Sequence, residues 1–468
     1  MATTVPRSAA PAPPVPDTAR RRWAVVAVCA LSLFLVGLDT TVVNVGLPAI
    51  GTGLRADTRA LEWVVDAYTV VLAGLLTTSG ALADRFGRRR VFRIGLLVFG
   101  AASLACAAAP SVGALVAARA VQGVGASMLS PVALAIVVAA MPDARERARA
   151  IGVWAAVFGL SMAAGPLTGG ALLAGLDWRA LFWINAPVVV LALLLVHRLV
   201  PESRAARPRP LDLPGQVLLS LLVGLAVAVL IEGPHLGWTS PAVLGGCALA
   251  GATAVAFGAV ERRRPAPLID LALFRRPSFG AAVLGAVAVF VALNLTLLLN
   301  TYYLQHVRGL SALAAGATTL PMAVAATVCA PLAGTLTGRH GARRPLLAGA
   351  VALIAGALLL TGLDDRTPLA LLLGAYLLIG TGIGFANAPL THTAVGTLPR
   401  DRAGLAGAVT STARQLGAAV GIALAGALVT GRTPDRLADA THPGWLLTAA
   451  CGATLLLAAA TARPAEGN

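Results

Sequence analysis

The chain alternates between long apolar runs and short polar connections that contain arginine. Each run is close to or above the ~20 residues that a helix needs to cross the hydrocarbon core of a bilayer. Several runs are longer than this minimum, which permits tilted helices. The pattern predicts an all-α integral membrane protein with fourteen transmembrane helices. The predicted spans are 23–50, 60–82, 91–109, 112–139, 148–174, 180–199, 213–232, 240–260, 278–304, 312–336, 345–363, 367–393, 403–430 and 443–461.

The distribution of arginine orients these spans. With the N-terminus inside and strict alternation, 27 arginines fall in inner segments and seven in outer segments. Arg119 and Arg414 lie within spans. The bias obeys the positive-inside rule, and one missed or extra early span would invert every later loop. We therefore expect a multi-pass protein of the bacterial inner (cytoplasmic) membrane with both termini in the cytoplasm.

An internal repeat divides the chain. Gly80–Arg90 follows the second span, and the similar segment Gly334–Arg344 follows the tenth. A Gly-x-Gly pattern at Gly123 is repeated at Gly380. Two six-span halves around a two-span insert explain both offsets, and repeated halves are typical of transporters that bind substrate between them. The predicted parts are a disordered cytoplasmic tail (1–22), an N-terminal six-helix bundle (23–199), a cytoplasmic linker (200–212), two inserted transmembrane helices (213–260), a second cytoplasmic linker (261–277), a C-terminal six-helix bundle (278–461) and a cytoplasmic tail (462–468).

Composition excludes several other classes of protein. Hydrophobic residues make up 57% of the 468 positions, charged residues 12%, and the mean hydropathy is +0.82. A soluble chain is nearer half apolar and a quarter charged, so this chain is neither soluble, disordered nor collagen-like. The net charge of +16 comes from inner loops, so we expect attraction to anionic lipid and no nucleic-acid partner. The five cysteines lie in apolar runs without metal spacing, as small buried hydrophobic residues do.

The loop at 80–90 has the sequence G-A-L-A-D-R-F-G-R-R-R. It resembles the signature loop of the major facilitator superfamily, whose defining positions are all filled here. The resemblance implies the major facilitator fold and conformational gating at this loop. Asp84 is placed to meet a helix N-terminus, and the arginines can anchor at the cytoplasmic interface. The gating residues implied are Gly80, Asp84, Arg85, Gly87, Arg88 and Arg89.

Three further segments resemble motifs of the fourteen-helix drug:proton antiporters within that superfamily. They are L-D-T-T-V-V-N-V-G-L-P at 38–48, R-A-V-Q-G-V-G-A at 119–126 and the glycine-rich stretch at 159–170. The chain is most similar to actinobacterial multidrug and antibiotic exporters. The resemblance implies proton-driven export by alternating access. Its antiporter-motif residues are Gly159, Gly165, Pro166, Gly169 and Gly170.

Few ionisable residues fall inside the spans, and such residues are functional candidates because burying charge in a bilayer is costly. At helical rise, Asp39, Arg119 and Asp66 lie roughly 14, 12 and 9 Å from the outer ends of their spans, so they could share one layer. We expect Asp39 to carry the proton and Arg119 to tune it. Asp66 is then a second carrier or a substrate-facing charge. The alternative is a static Asp39–Arg119 pair that only holds helices together, while Glu232 could simply reach outer water.

Candidate substrate contacts are polar or aromatic residues that could line a largely apolar pocket. For each of them, helix packing or anchoring at the interface is the alternative interpretation. Arg414 could bind an anionic group, pair with a carbonyl or serve structure. The candidates are Asn44, Trp63, Trp154, Phe158, Asn294, Asn300, Tyr302, Gln305, Asn387, Arg414 and Gln415.

The sequence contains no phosphate-binding loop, no catalytic triad and no cluster of metal ligands, so we expect neither enzyme activity, ATP use nor a cofactor. The expected partners are a small-molecule substrate, protons and the lipid bilayer, and we expect a monomer. The interpretation is a proton-driven antiporter that exports small amphipathic drugs or antibiotics. The alternatives are export of an endogenous metabolite, or a non-transporting membrane sensor with the same fold.

Overall fold

Every element in the described part of the chain is a helix. The structure is a computed structural model that describes residues 18–204, 212–264, 267–269, 271–396, 403–430, 432 and 434–462. The α-helices are α1 (Ala19–Leu54), α2 (Thr58–Phe86), α3 (Arg88–Ala107), α4 (Val112–Ser127), α5 (Ser130–Ala140), α6 (Ala144–Gly175), α7 (Ala180–Trp183), α8 (Asn185–Leu199), α9 (Leu213–Leu236), α10 (Pro241–Arg263), α11 (Pro277–Tyr302), α12 (Ala312–Thr318), α13 (Leu320–His340), α14 (Arg343–Leu359), α15 (Leu369–Gly396), α16 (Ala403–Val429) and α17 (Pro434–Thr461). A 3-10 turn covers Leu271–Arg275, and α11 continues as a π-helix over Tyr303–Val307.

Twelve helices of the described residues are long and apolar enough to cross a membrane, counting α4 with α5, α7 with α8 and α12 with α13 as single spans. The all-α membrane fold predicted from the sequence is therefore confirmed. α6 and α14 lie at two further predicted spans but are not among these twelve, and α14 has only 17 residues. The count of fourteen spans stays a prediction.

Several predicted spans differ in detail from the observed helices. α1 begins at Ala19, within the segment predicted to be a disordered tail, because the Thr18 side chain accepts a hydrogen bond from the Arg21 N–H at 3.3 Å and caps the helix. α17 begins at Pro434, earlier than its predicted span. Breaks divide three predicted spans, into α4 and α5, α7 and α8, and α12 and α13. Two of the restarts have proline in the first turn, Pro131 in α5 and Pro321 in α13. Proline lacks the N–H that would continue the preceding helix.

The internal repeat is visible in the turns and in the packing. Gly87 ends α2 with φ +110° and Gly341 ends α13 with φ +78°, a conformation that favours glycine. Gly123 of α4 lies against the Tyr68 carbonyl of α2, and Gly380 of α15 lies against the Met322 carbonyl of α13. The same glycine positions thus bring equivalent helix pairs together in both halves of the chain.

Helices α9 and α10 lie between the repeats in sequence, and α9 lies between them in space. It packs against both α2 and α16, while α10 packs mainly on α9. The Thr78 hydroxyl of α2 donates to Gln216 Oε1 of α9, and Ile231 of α9 packs with Ala423 of α16. The inserted pair therefore covers the line where α2 meets α16.

Two hydrophobic clusters show how the halves are joined. One contains only residues before position 201, from Val25 to Val200, and fills the end of the first half that carries the N-terminus of α1. The other includes Leu47 and Leu61 near the opposite end and continues into residues of α11 to α17. The halves therefore share a continuous core at the end where α2 begins, which the arginine distribution predicts to be the outer end.

Candidate functional site

A fully buried ion pair lies in the first half. Asp39 of α1 and Arg119 of α4 are both 0% exposed, and Arg119 Nη1 lies 2.6 Å from Asp39 Oδ2. The sequence predicted that these two groups share one depth, and the structure confirms that they meet. Each residue compensates the charge of the other in a buried region, where an isolated charge would be costly.

Amide side chains complete the surroundings of Asp39. Asp39 Oδ1 accepts hydrogen bonds from Gln122 Nε2 and Asn185 Nδ2, both at 2.8 Å. Gln122 Nε2 also lies 2.8 Å from the hydroxyl oxygen of Ser103. Both carboxylate oxygens of Asp39 are thus engaged, so the network ties together α1, α3, α4 and the first residue of α8. Gln122 lies in the motif that follows Arg119, whereas Asn185 and Ser103 had no signal in the sequence.

Arg119 is also held from α2. Its Nε donates to the Val64 carbonyl at 3.0 Å, and its guanidinium carbon lies 4.2 Å from the ring centre of Tyr68. A cation over an aromatic face is attracted to it, more strongly when both are out of water. The arrangement fits the static-pair alternative and also gives a compensated carboxylate whose partners can change when helices move.

Two further buried carboxyl groups lie on α2 without such compensation. Asp66 is 0% exposed and Glu62 is 4% exposed, and none of their carboxyl oxygens has a hydrogen-bond partner. The two residues are four positions apart, so they share one face of the helix. Asp66 therefore does not join the Asp39 network, although the sequence placed it in the same layer. Glu62 was missed, and its spacing from Asp66 was the available signal.

Glu62 lies where the two halves of the chain meet. A Cβ atom added at Gly426 of α16 would overlap the Glu62 carboxyl group. Its neighbour Glu232 of α9, by contrast, is paired. Glu232 Oε2 lies 2.6 Å from Arg59 Nη2, and Trp63 Nε1 donates to Glu232 Oε1 at 3.3 Å. Glu232 therefore has a structural partner, and Trp63 helps to anchor α9.

A small cavity of about 20 Å³ lies between α1, α6, α12 and α11 with its π-helical end. Asn44 lines it, is 2% exposed, and has neither amide atom hydrogen-bonded. Gln305 also lines it and donates to the Val45 carbonyl at 3.2 Å. A cavity of this volume has room for about one water molecule, so a drug would fit here only after the surrounding helices move apart.

The remaining predicted contact residues are more dispersed. Asn294 Nδ2 donates to the Phe290 carbonyl of its own helix at 2.9 Å. Asn300 is buried with its amide unpartnered, and the Tyr302 ring centre lies 5.8 Å from that of His306. None of these three side chains lines the cavity described above.

Arg414 of α16 is held by neighbouring helices. Its Nη2 donates to the Thr391 hydroxyl of α15, and its guanidinium carbon lies 5.9 Å from the ring centre of Phe290. Asn387 lies one turn before Thr391 and is half-buried, as is Gln415 beside Arg414. The side chains of Trp154 and Phe158, and Gly159, lie outside the described residues.

The loop at 80–90 is tied to the end of α8. Asp84 pairs with the guanidinium of Arg88, the first residue of α3, at 2.8 Å. Asp84 therefore contacts the N-terminus of α3 through the side chain of Arg88. Arg89 Nη2 donates to the His197 carbonyl at 2.6 Å and the Arg89 N–H to Glu202 Oε1 at 3.1 Å. Arg85 lies over the Phe86 ring at 5.7 Å.

Glycines of α6 permit close approach to both halves. A Cβ atom at Gly165 would overlap the Thr41 hydroxyl of α1, and one at Gly169 would lie 3.0 Å from Val42 Cγ2. A Cβ atom at Gly170 would overlap the Leu313 backbone of α12. The glycine-rich stretch thus lets α6 pack on α1 and α12 together.

Among the described residues, no group of three or more His, Cys, Asp or Glu is placed to hold a metal ion. The repeated helical halves, the buried charges and the cavity between helices define a polytopic α-helical membrane transporter. The chain matches the Major Facilitator Superfamily over residues 29–422 and belongs to that family.

Similar proteins in actinobacteria are drug-resistance transporters. The chain is 39% identical to multidrug resistance protein Stp of Mycobacterium tuberculosis, covering 85% of this chain and 74% of that protein. It is 40% identical to the puromycin resistance protein of Streptomyces alboniger, covering 90% and 84%. It is 33% identical to the multidrug efflux pump LfrA of Mycolicibacterium smegmatis, covering 89% and 83%.

Solved structures of other transporters have the same fold as this chain. A bacterial homologue of the lysosomal transporter Spinster, in an inward-facing and unoccupied conformation, matches with a TM-score of 0.65 and 17% identity over 95% of this chain and 97% of that one. A D-xylose–proton symporter matches with a TM-score of 0.65 and 17% identity over 94% and 96%. The predicted family, its drug-efflux branch and the major facilitator fold are thereby confirmed.

Proposed function

We propose that this protein is a proton-driven antiporter that exports small amphipathic drug-like molecules by alternating access. The names of its relatives support the substrate class. The main observation in support of proton coupling is the difference between two buried aspartates. Asp39 is compensated by Arg119, whereas the equally buried Asp66 has no partner. A membrane-buried carboxylate without a partner is costly, so Asp66 suits a group that takes up a proton.

In this proposal Asp39 carries the main proton. When Asp39 loses that proton, its carboxylate pairs with Arg119. We assign the paired arrangement of Asp39 and Arg119 to the stage of this proposed cycle at which Asp39 has given up its proton. Both residues belong to the first of the two six-helix bundles, 23–199 and 278–461. A shift of α1 against α4 within that bundle, coupled to the rocking of the bundles, would separate Asp39 from Arg119 and let the carboxylate be reloaded. Asp66 is the second carrier on the neighbouring helix. Such a cycle needs differential interactions in its two states, which the changeable pair supplies.

The drug binds between the halves in this proposal. Asn44 and Gln305 would contact it once the cavity between the helices opens, and the unpartnered amide of Asn44 would supply hydrogen bonds without a charge. The other candidates, Trp63, Trp154, Phe158, Asn294, Asn300, Tyr302, Asn387, Arg414 and Gln415, would contact substrate in other states of the cycle. The 80–90 loop and the α6 glycines gate the change of state. The protein works as a monomer in the bacterial inner membrane with both termini in the cytoplasm.

The test is proton movement induced by substrate in everted vesicles. A pH-sensitive dye reports proton release on addition of lipophilic cations and natural antibiotics. We expect at least one compound to release protons with the wild type and not with Asp39→Asn, at equal amounts of protein in the membrane. A response that survives in Asp39→Asn but disappears in Asp66→Asn would move the main proton site to Asp66. Silence of the wild type across the panel would contradict drug:proton antiport.

A further inference from the structure

Glu62 is an acidic residue that the Asp39 network does not use. It is the fifth residue of α2, close to the predicted outer end of the helix, yet it is only 4% exposed. Both of its oxygens lack a hydrogen-bond partner. A carboxylate so close to a helix end would ordinarily reach water. Here it is covered, and the cover comes from the other half of the protein.

That cover is Gly426 of α16. The Glu62 carboxyl group occupies the position that a side chain at residue 426 would need. α2 and α16 belong to different repeats, so this contact crosses the line along which the halves would separate. Other contacts across this line lie towards the same end, namely Gln305 with the Val45 carbonyl and Gly170 with the Leu313 backbone. The outer end is therefore closed in this structure.

The charged groups around Glu62 do not compensate a negative charge on it. Asp57 and Asp66 on or next to α2 are acidic, and so is Glu232 of α9. The nearby cation of α2, Arg59, is paired with Glu232 at 2.6 Å. Tyr302 of α11 is a further titratable neighbour, and α16 presents Gly426. An ionised Glu62 would thus be a buried charge among like charges, which repel at short range.

We propose that protonation of Glu62 controls closure of the outer gate, because α16 can close over this residue only when it carries a proton from the outer side. Separation of α16 from α2 would expose the carboxyl group to water, where ionisation carries little cost. Closure would bury it again and therefore requires the neutral form. The proton is bound by a Glu62 oxygen as the gate closes and stays there until the next opening. This role deepens the proposed antiport and rests on it for the direction of transport.

The link between closure and one proton has a measurable size. If closing requires one proton, the ratio of closed to open molecules changes by about tenfold per pH unit in the range where Glu62 ionises while the gate is open. Acid favours the closed outer gate. The matched substitution Glu62→Gln keeps the shape of the side chain but removes the ionisable group, so the gate should close independently of pH.

Spin labels can report the gate directly. Gly113 of α4 has open space at its Cβ position and Asp439 of α17 is exposed, and both lie at the predicted outer end. Cysteines at these two positions, in a background without the five native cysteines, give the distance between the halves by pulsed electron resonance. We expect the wild type to shift from long to short distances as the pH falls. Glu62→Gln should show the short distance at every pH.

Three further variants serve as controls. Gly426→Ala should favour the long distance, because its methyl group occupies the place of the carboxyl group, and Glu62→Ala combined with Gly426→Ala should restore closure. Glu146→Gln is the matched control. Glu146 pairs with Arg22 at 3.1 Å on the opposite, predicted inner side, so its loss should leave the pH dependence unchanged.

The outcomes separate this inference from the proposed function. A wild-type pH dependence retained in Glu62→Gln would overturn the role of Glu62, and so would a wild-type gate that does not respond to pH. Drug-induced proton release by the wild type in vesicles is measured alongside. If that signal is absent while the gate still responds to pH through Glu62, the proposed antiport fails and the gate inference stands.

Discussion

The Asp39–Arg119 pair makes a quantitative prediction about stability. Arg119→Gln removes the cation and leaves Asp39, which is 0% exposed, as an uncompensated charge with only the amides of Gln122 and Asn185 as partners. Removing one partner of a buried ion pair costs about 3–5 kcal/mol. Asp39→Asn leaves Arg119 in the converse position. The double variant has neither charge and should lose less than the sum of the two single changes.

The assay is unfolding of the purified protein in detergent micelles with increasing denaturing detergent, followed by intrinsic tryptophan fluorescence. We expect the double variant to be more stable than Arg119→Gln alone. Asn185→Ala, which removes one hydrogen bond to the carboxylate, should cost about 1.5–3 kcal/mol. Effects of the two charge changes that simply add would refute the pairing as the source of the stability, because independent sites are additive.

Three other substitutions test the close contacts and the cavity. Gly165→Val should destabilise the protein by about 1–3 kcal/mol through its overlap with Thr41, whereas Gly245→Val, in open space on α10, should not change the unfolding midpoint. Gly87→Ala should cost roughly 1–3 kcal/mol, because residue 87 has φ +110° and an added Cβ would overlap the Glu202 carboxyl group, and thermal unfolding measures the loss. Asn44→Leu should raise the KM for drug transport in vesicles and leave the maximal rate of proton release unchanged, since it removes only a cavity amide. A KM equal to that of the wild type would remove Asn44 from the binding site.

The sequence predicts the helical spans well because each run must be long and apolar to lie in a bilayer. The rise per residue also places Asp39 and Arg119 at similar depths, and their contact is observed. Helix ends were less predictable. The break before Pro131 lies within one continuous apolar run, so hydropathy alone shows a single span.

The partners of buried polar groups depend on distant parts of the chain and could not be predicted. Asn185 reaches Asp39 only because α8 begins beside α1. Glu62 is buried by Gly426 of α16. Nothing in the sequence around Gly426 indicates that this glycine faces the N-terminal half of the protein. A spacing of four residues from Asp66 marks Glu62 as sharing a helix face, but burial of that face is decided by tertiary packing.

In the proposed antiporter, transport of drug and transport of protons are coupled. Purified protein in liposomes, with a drug of the type that releases protons in vesicles and an imposed pH gradient, measures this coupling most directly. We expect the drug to accumulate against its own concentration gradient while the pH gradient lasts, and a drug gradient alone to drive protons in the opposite direction. Drug movement that is unaffected by the pH gradient, with no pH change in return, would contradict the proposed coupling.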